Sequence, residues 1–256
     1  MQGPAELLPV SSSGHLVLVP ELLGWPYASL DPELRKAFEV AVHAGTAAAL
    51  LIALRGEVAE VARALDARRL LGTALAFLPP AAAGLLLEGP IERRAGAPRR
   101  VAATQVVAGL ALAVADRRPD DRSYAQAGTL DHLLLGLAQA TALAPGVSRN
   151  GATLTVARLR RLDRPAASRL SRHAALPIIA GAGVLKSVRL ARRGLPPALR
   201  APFAAGLGAA AVSTLACRRL LGWTESAPSF APLGLYRVAF GGGALAVLRR
   251  SGRRPR

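Results

Sequence analysis

Apolar residues in this chain come in blocks, and the charges fall in the gaps between them. Six blocks of fifteen to eighteen residues stand out: 38–54, 70–87, 101–115, 174–190, 201–217 and 231–248. Each is about the length a helix needs to cross a bilayer, so the pattern predicts six spans. Pro79 and Pro80 interrupt the second block; in a membrane, neighbouring helices can satisfy the carbonyls that proline frees. Arg237 lies inside the last block and leaves its ends open. The link 55–69 is charged, and a polar link after 115 carries Asp116, Asp120, Asp121 and Asp131.

Two stretches fit none of these spans. Gln2 to His15 reads QGPAELLPVSSSGH, and Gln139 to Gly151 reads QATALAPGVSRNG. Shifting the first by 137 positions sets Gln2 on Gln139, Val10 on Val147, Ser11 on Ser148 and Gly14 on Gly151, while Pro9 misses Pro145 by one. Each stretch has apolar sequence before it and helical pattern after it, as expected of a break in a membrane helix. Each break is followed by three spans, and an odd number of crossings inverts the second unit relative to the first. The predicted fold is therefore all-α and polytopic: one integral membrane domain of two inverted-topology repeats, 1–115 and 131–248, each a re-entrant helical hairpin plus three transmembrane helices, with broken segments meeting near the midplane. Residues 249–256 form a basic tail, expected in the cytoplasm. That placement brings the first break in from the inner face and the second from the outer face, and the basic stretch Arg158 to Arg172 fits it poorly. No cleavable signal peptide is expected. Against the second unit, the first lacks about one to two turns of entry helix; either the start codon is placed too late or the protein tolerates a short entry helix.

Composition sharpens this picture. The chain has 256 residues, 52% of them hydrophobic but only 4% aromatic, and a mean hydropathy of +0.31. Ala, Leu, Val and Gly fill the blocks, and small residues let helices approach closely in lipid. The net charge of +17 comes almost wholly from Arg; Lys36 and Lys186 are the only lysines. Nucleic-acid binding is not expected, because the Arg clusters flank apolar runs instead of following one face. Cys217 lies in an apolar run with no second cysteine, so it reads as core packing.

The breaks also carry the chemistry. Ser11, Ser12, Ser13 and Gly14 precede one helix, and Ser148, Arg149, Asn150 and Gly151 precede the other. Hydroxyl caps, free N–H groups and the helix dipole make an anion site; two such termini aimed at one point suit a phosphate or diphosphate. Gly14 and Gly151 permit close backbone approach or unusual dihedrals. Arg149 adds a planar bidentate donor. Glu6 and His15 turn the anion site into a candidate reaction centre, since a carboxylate and an imidazole beside serines can activate a nucleophile and protonate a leaving oxygen. Gln2, one turn before Glu6, shares its face. Glu39 and His43, four apart, either line the cavity or bond across helices.

At these residues the chain resembles the undecaprenyl-diphosphatase family, also called the bacitracin-resistance family. The family's first motif stands here as Gln2, Glu6 and LLPVSSSGH, and its second as PGVSRNG at 145–151. The likeness extends to FEVAVHAGT at 38–46, GLAQATALAPG at 136–146 and LPIIAGAG at 176–183. It implies a plasma-membrane phosphatase that removes the terminal phosphate of the C55 prenyl diphosphate and recycles the carrier for cell-wall synthesis, with its active site opening to the outer side. Glu6, Ser12, His15 and Arg149 match the family's catalytic positions. Gln2, Ser11, Ser13, Gly14, Ser148, Asn150 and Gly151 are expected to bind the substrate. An Mg²⁺ or Ca²⁺ ion on Glu6 is a further expectation. The expected partners are the prenyl diphosphate, membrane lipids and a second copy in a homodimer. A transporter or flippase of an anionic lipid is the alternative; it needs Arg149 and the helix termini but no nucleophile. Departures from the family pattern are Asn150 for the usual Ser, His43 for a common Gln, and Arg172-His173 for an aromatic-aliphatic pair.

Overall fold

The computed structural model describes residues 1–64 and 66–251. They form twelve α-helices: α1 Gln2–Leu7, α2 Ser12–Leu23, α3 Pro32–Ala53, α4 Arg55–Arg63, α5 Ala67–Ala95, α6 Pro98–Ala115, α7 Thr129–Thr141, α8 Arg149–Leu159, α9 Arg164–Arg193, α10 Pro197–Ala216, α11 Arg219–Ser226 and α12 Ala231–Ser251. An isolated bridge between Arg122 and Leu162 is the only β-type pairing among the described residues. The chain is an all-α, polytopic membrane protein. Parts of α3, α5, α10 and α12 are long and apolar enough to cross a membrane. Their outer faces are greasy, Leu86 being 75% exposed, as lipid contact requires. The other two expected spans are α6 and the charged, thirty-residue α9. The link at 55–69 contributes the short helix α4. Residues 249–251 of the expected tail continue α12; residues 252–256 lie outside the described residues.

Three features position the functional region. First, α6 and α12 run antiparallel along their length. Asp116 at the end of α6 accepts from Phe230 N at 2.8 Å, and Arg99 at its start donates to Leu248 O at 3.0 Å. Gly109 and Gly234 allow the approach: a Cβ on either would lie 2.6 Å from the other's carbonyl oxygen. Second, α5 stays helical through Pro79 and Pro80. Pro80 has no N–H for the Ala76 carbonyl, and Gln139 of α7 supplies one, Nε2 to O at 3.0 Å. It donates also to Ala174 O at 3.1 Å.

Third, the basic stretch that fits a simple topology so poorly is matched by carboxylates. Arg158 and Arg164 meet Asp116, Arg160 meets Asp131, Arg161 meets Asp121, Arg169 meets Glu60, and Arg172 meets Glu57 and Glu225. Burial pushes the Asp131 carboxyl up, but hydrogen bonds from Arg122, Arg160 and Gly128 N outweigh it and hold it at about 2. Asp116, likewise buried, is kept below the usual range by Ser229, Arg164 and Phe230 N. Arg172 and His173 join this network, His173 Nδ1 lying 2.9 Å from the Tyr124 hydroxyl, so their departure from an aromatic-aliphatic pair is compensated. Cys217 packs against the cluster of Leu7, Leu50, Leu54, Leu176 and Ile179.

Candidate active site

The two breaks meet inside the bundle. Leu8 to Ser11 separate α1 from α2, and Ala142 to Ser148 separate α7 from α8. The same cap opens each following helix: Ser11 Oγ accepts from Gly14 N at 3.2 Å, and Ser148 Oγ accepts from Gly151 N at 3.1 Å. Ser11 sits at φ 72°, strained for a non-glycine residue, and Gly146 at φ 94°. Such strain persists only where the surroundings over-determine it.

Buried Arg237 is what over-determines it. Its guanidinium donates to Pro9 O of the first break at 3.4 Å and to Gly146 O of the second at 2.8 Å. Its Nε donates to Gln105 Oε1 at 2.9 Å, and Gln105 Nε2 donates to Val10 O at 3.0 Å. Sequence reasoning counted Arg237 only as a flaw in a span. A fully buried cation in an apolar helix is itself a functional signal, and that signal was present. Gly14 and Gly151 make room for this clamp: a Cβ on Gly14 would lie 2.5 Å from Gln105 Nε2, and one on Gly151 2.6 Å from Arg237 Nη1. The close approach expected at these glycines is thus of protein side chains.

Beside the clamp lies a polar relay. Ser12 Oγ donates to Glu6 Oε2 at 2.5 Å, and Arg149 Nη2 donates to Glu6 Oε1 at 3.1 Å. Asn150 Nδ2 donates to Leu7 O at 3.1 Å, and Asn150 Oδ1 accepts from Ser171 Oγ at 3.1 Å. Ser13 Oγ lies 3.5 Å from Gly146 N and 3.3 Å from Ser11 Oγ. Glu6, Ser11, Ser12, Ser13, Ser148, Arg149 and Asn150 line the deep end of one cavity of about 1180 Å³. This exceeds the ~300–1,000 Å³ of ordinary small-ligand pockets. Its walls are largely apolar, from Leu16, Phe77, Leu85 and Ile179 among others, and Glu39 and His43 line it too. Its lining runs out to the exposed Pro32, Glu33, Arg93 and Ala97, which mark a mouth at the end of the molecule where Arg99 meets the last turns of α12.

Four expected site residues do not line this cavity: Gly14 and Gly151, which face the clamp, and His15 and Gln2. His15 is buried; its Nδ1 faces Ser11 O at 2.8 Å and its Nε2 the Tyr236 hydroxyl at 2.7 Å, with the ring stacked on Phe240. A carbonyl only accepts, so Nδ1 carries a proton, and the Tyr236 hydroxyl is the partner of Nε2. His15 braces the strained Ser11 turn and lines neither this cavity nor the smaller one described below, whereas Arg149 lines both. Gln2 is also buried, lines neither this cavity nor the smaller one described below, and has no hydrogen-bond partner for either amide atom. The expected metal fits badly. Glu6 already bonds Ser12 and the Arg149 cation, and no group of three His, Cys, Asp or Glu among the described residues could hold an ion.

The family model of the bacitracin resistance protein BacA matches residues 1–243. The chain belongs to this family. It is 41% identical to an undecaprenyl-diphosphatase of Geobacter sulfurreducens over 97% of this chain and 95% of that protein. Proteins of the same name from Pelobacter propionicus and Campylobacter concisus are 37% and 36% identical, over 97% and 94% of this chain and 94% and 93% of their own lengths. Membership agrees with a membrane bundle whose polar centre sits at the bottom of a lipid-sized cavity.

Proposed function

We propose that the Ser12–Glu6–Arg149 relay is the reaction centre of this family member. The chain is an undecaprenyl-diphosphate phosphatase: it hydrolyses the prenyl diphosphate to the monophosphate and inorganic phosphate, renewing the lipid carrier of cell-wall synthesis and giving bacitracin resistance. The prenyl tail lies along the apolar walls, with the diphosphate between the N-termini of α2 and α8. Arg149 swings from Glu6 to the phosphate oxygens, and Glu6, released from its cation, becomes the stronger base. Ser12 Oγ attacks the terminal phosphorus while Glu6 takes its proton. The bond to the bridging oxygen breaks, and the lipid monophosphate leaves. Its second pKa is near ~6, so it departs without a general acid. This removes the need for His15 at the leaving oxygen and suits its role as a positioning residue. Water then attacks the phosphoserine: Glu6 gives the proton it holds to the leaving Ser12 Oγ while its other oxygen takes one from the water, phosphate is freed, and the proton left on Glu6 passes to solvent. Charge stabilisation and placement carry most phosphoryl transfers. No step is routed through a metal.

The observation that carries this reading is the Ser12 hydroxyl bonded to a carboxylate that faces a lipid-sized cavity. An anion transporter has no use for such a pair. The test is phosphate release from undecaprenyl diphosphate in detergent: Ser12→Ala must abolish it while substrate binding is kept. We further propose that the two hairpins belong to inverted repeats. In support, α1 lies on α10 as α7 lies on α5, and α6 and α12 lie on one another. The cavity mouth and the end of α12 share one end of the molecule, so an outward-opening site and a cytoplasmic tail exclude each other. We favour the plasma membrane with the mouth, and α12's end with it, on the outer side.

A further inference from the structure

A second, smaller cavity lies behind the Glu6–Arg149 pair. Its volume is about 40 Å³, and its polar lining is Glu6, Arg149, Asn150, Thr153, Ser171 and Arg172. The ion pair lines both cavities, as do Leu50, Asn150 and Ile179, and these five residues form the partition between them. The small cavity lies toward Leu54, where α3 ends, and Leu221 of α11. That is the end of the bundle away from the lipid mouth, where Asp116 gathers Arg158 and Arg164.

Arg172 is set like a fixed donor. Its Nε bonds Glu57 at 2.9 and 3.1 Å and its Nη2 bonds Glu225 at 2.6 Å, while Nη1 is buried with no protein partner. Nearby, the Thr153 and Ser171 hydroxyls lie 2.6 Å apart and Ser171 bonds Asn150. A cavity needs roughly 10–15 Å³ and two to four polar partners to hold a water. This one has room for about three waters and is too narrow for a lipid headgroup.

We propose that the small cavity is a water site that supplies the hydrolytic water to Glu6 from the side opposite the lipid. This rests on the hydrolytic reading above. The diphosphate on Arg149 and the tail in the large cavity stand between Ser12 and the mouth, yet each turnover consumes one water. A water held beside the polar groups of Asn150, Thr153 and Ser171 steps past the partition once Arg149 has turned to the phosphate. Its oxygen bonds to phosphorus, the bond from phosphorus to Ser12 Oγ breaks, Ser12 Oγ takes the proton that Glu6 holds, and Glu6 takes one from the water and releases it to solvent.

The test plugs each cavity after folding. In a Cys217→Ala background of the full chain, Ala175→Cys lines the small cavity and Ala81→Cys the large one. Each is treated with methyl methanethiosulfonate, and melting temperatures check the fold. The expected result at Ala175→Cys is at least a tenfold fall in kcat with KM unchanged. At Ala81→Cys it is a rise in KM. A non-hydrolysable prenyl diphosphate analogue protects Ala81→Cys from the reagent but not Ala175→Cys. An adduct at Ala175→Cys that leaves kcat intact, or raises KM instead, overturns the water site, as does a thiol there that never reacts. Absence of phosphate release from the unmodified enzyme would instead refute the hydrolytic reading.

Discussion

The two hairpins share a motif but are held differently. The second is anchored along its length. Thirteen-residue α7 begins with Asp131 gripped by Arg122 and Arg160, and ends near Gln139, whose amide nitrogen meets two carbonyls. The first has a six-residue α1 whose Gln2 amide is buried without partners. Yet the first carries Glu6 and Ser12, the groups that must exchange protons, while the second carries Arg149. Chemistry sits on the lightly braced hairpin and support on the rigid one. Arg237 reconciles the two by tying Pro9 and Gly146 to one guanidinium. What the first hairpin lacks in local bonds it receives from α12.

The comparison breaks most sharply at Glu6. Glu6→Gln keeps the shape but loses the base and the counter-ion of Arg149, so kcat should fall about 10²–10⁴-fold. Phosphate release at saturating substrate measures it, and a Glu6→Gln enzyme of normal rate would move the proton chemistry elsewhere. On the second hairpin, Arg149→Lys keeps the charge but loses the planar fork. The expected loss is about 10- to 10²-fold in kcat/KM, mostly through KM. A larger loss in kcat than in KM would show that the guanidinium acts chiefly on the transition state.

Much of this arrangement was legible in the chain itself. The blocks at 38–54 and 201–217 reappear as α3 and α10 because lipid imposes length and apolarity together. The offset of 137 reappears as two Ser caps closing on Gly14 N and Gly151 N. What the sequence hid is tertiary. Nothing local says that His15 turns from Ser12 toward Tyr236, 221 positions away. Nor does spacing say that Gly14 yields to Gln105, or that Glu57 and Glu225 wait for Arg172. Those choices are made by elements far apart in the chain, and short periodicities do not encode them.

Arg237 is the next point of strain. Arg237→Met fills similar space but leaves the Gln105 oxygen and the Pro9 and Gly146 carbonyls without their donor. Each unmet buried group costs about 1–3 kcal/mol, so a clear fall in melting temperature in detergent is expected. Activity should fall further than unfolding explains, because the Ser11 turn relaxes. Arg237→Lys reaches at most part of the set and should recover part of both. If the Arg237→Met variant melts with the parent enzyme, the clamp does not hold the hairpins and their registry comes from helix packing alone.

The smallest effect is the most direct comparison of the two hairpins, because it uses the matched pair Gln2 and Gln139. Gln139→Leu takes the donor from the Ala76 carbonyl, which Pro80 already leaves without its helical partner. Stability should drop by about 1–3 kcal/mol. Gln2→Leu removes a buried amide with no bonds to lose, so the melting temperature should hold or rise. The same chemical change at matched positions then has opposite signs. Should Gln2→Leu instead keep its fold and lose kcat, the amide is being held for the substrate-bound enzyme, and the first hairpin moves on binding in a way the second does not.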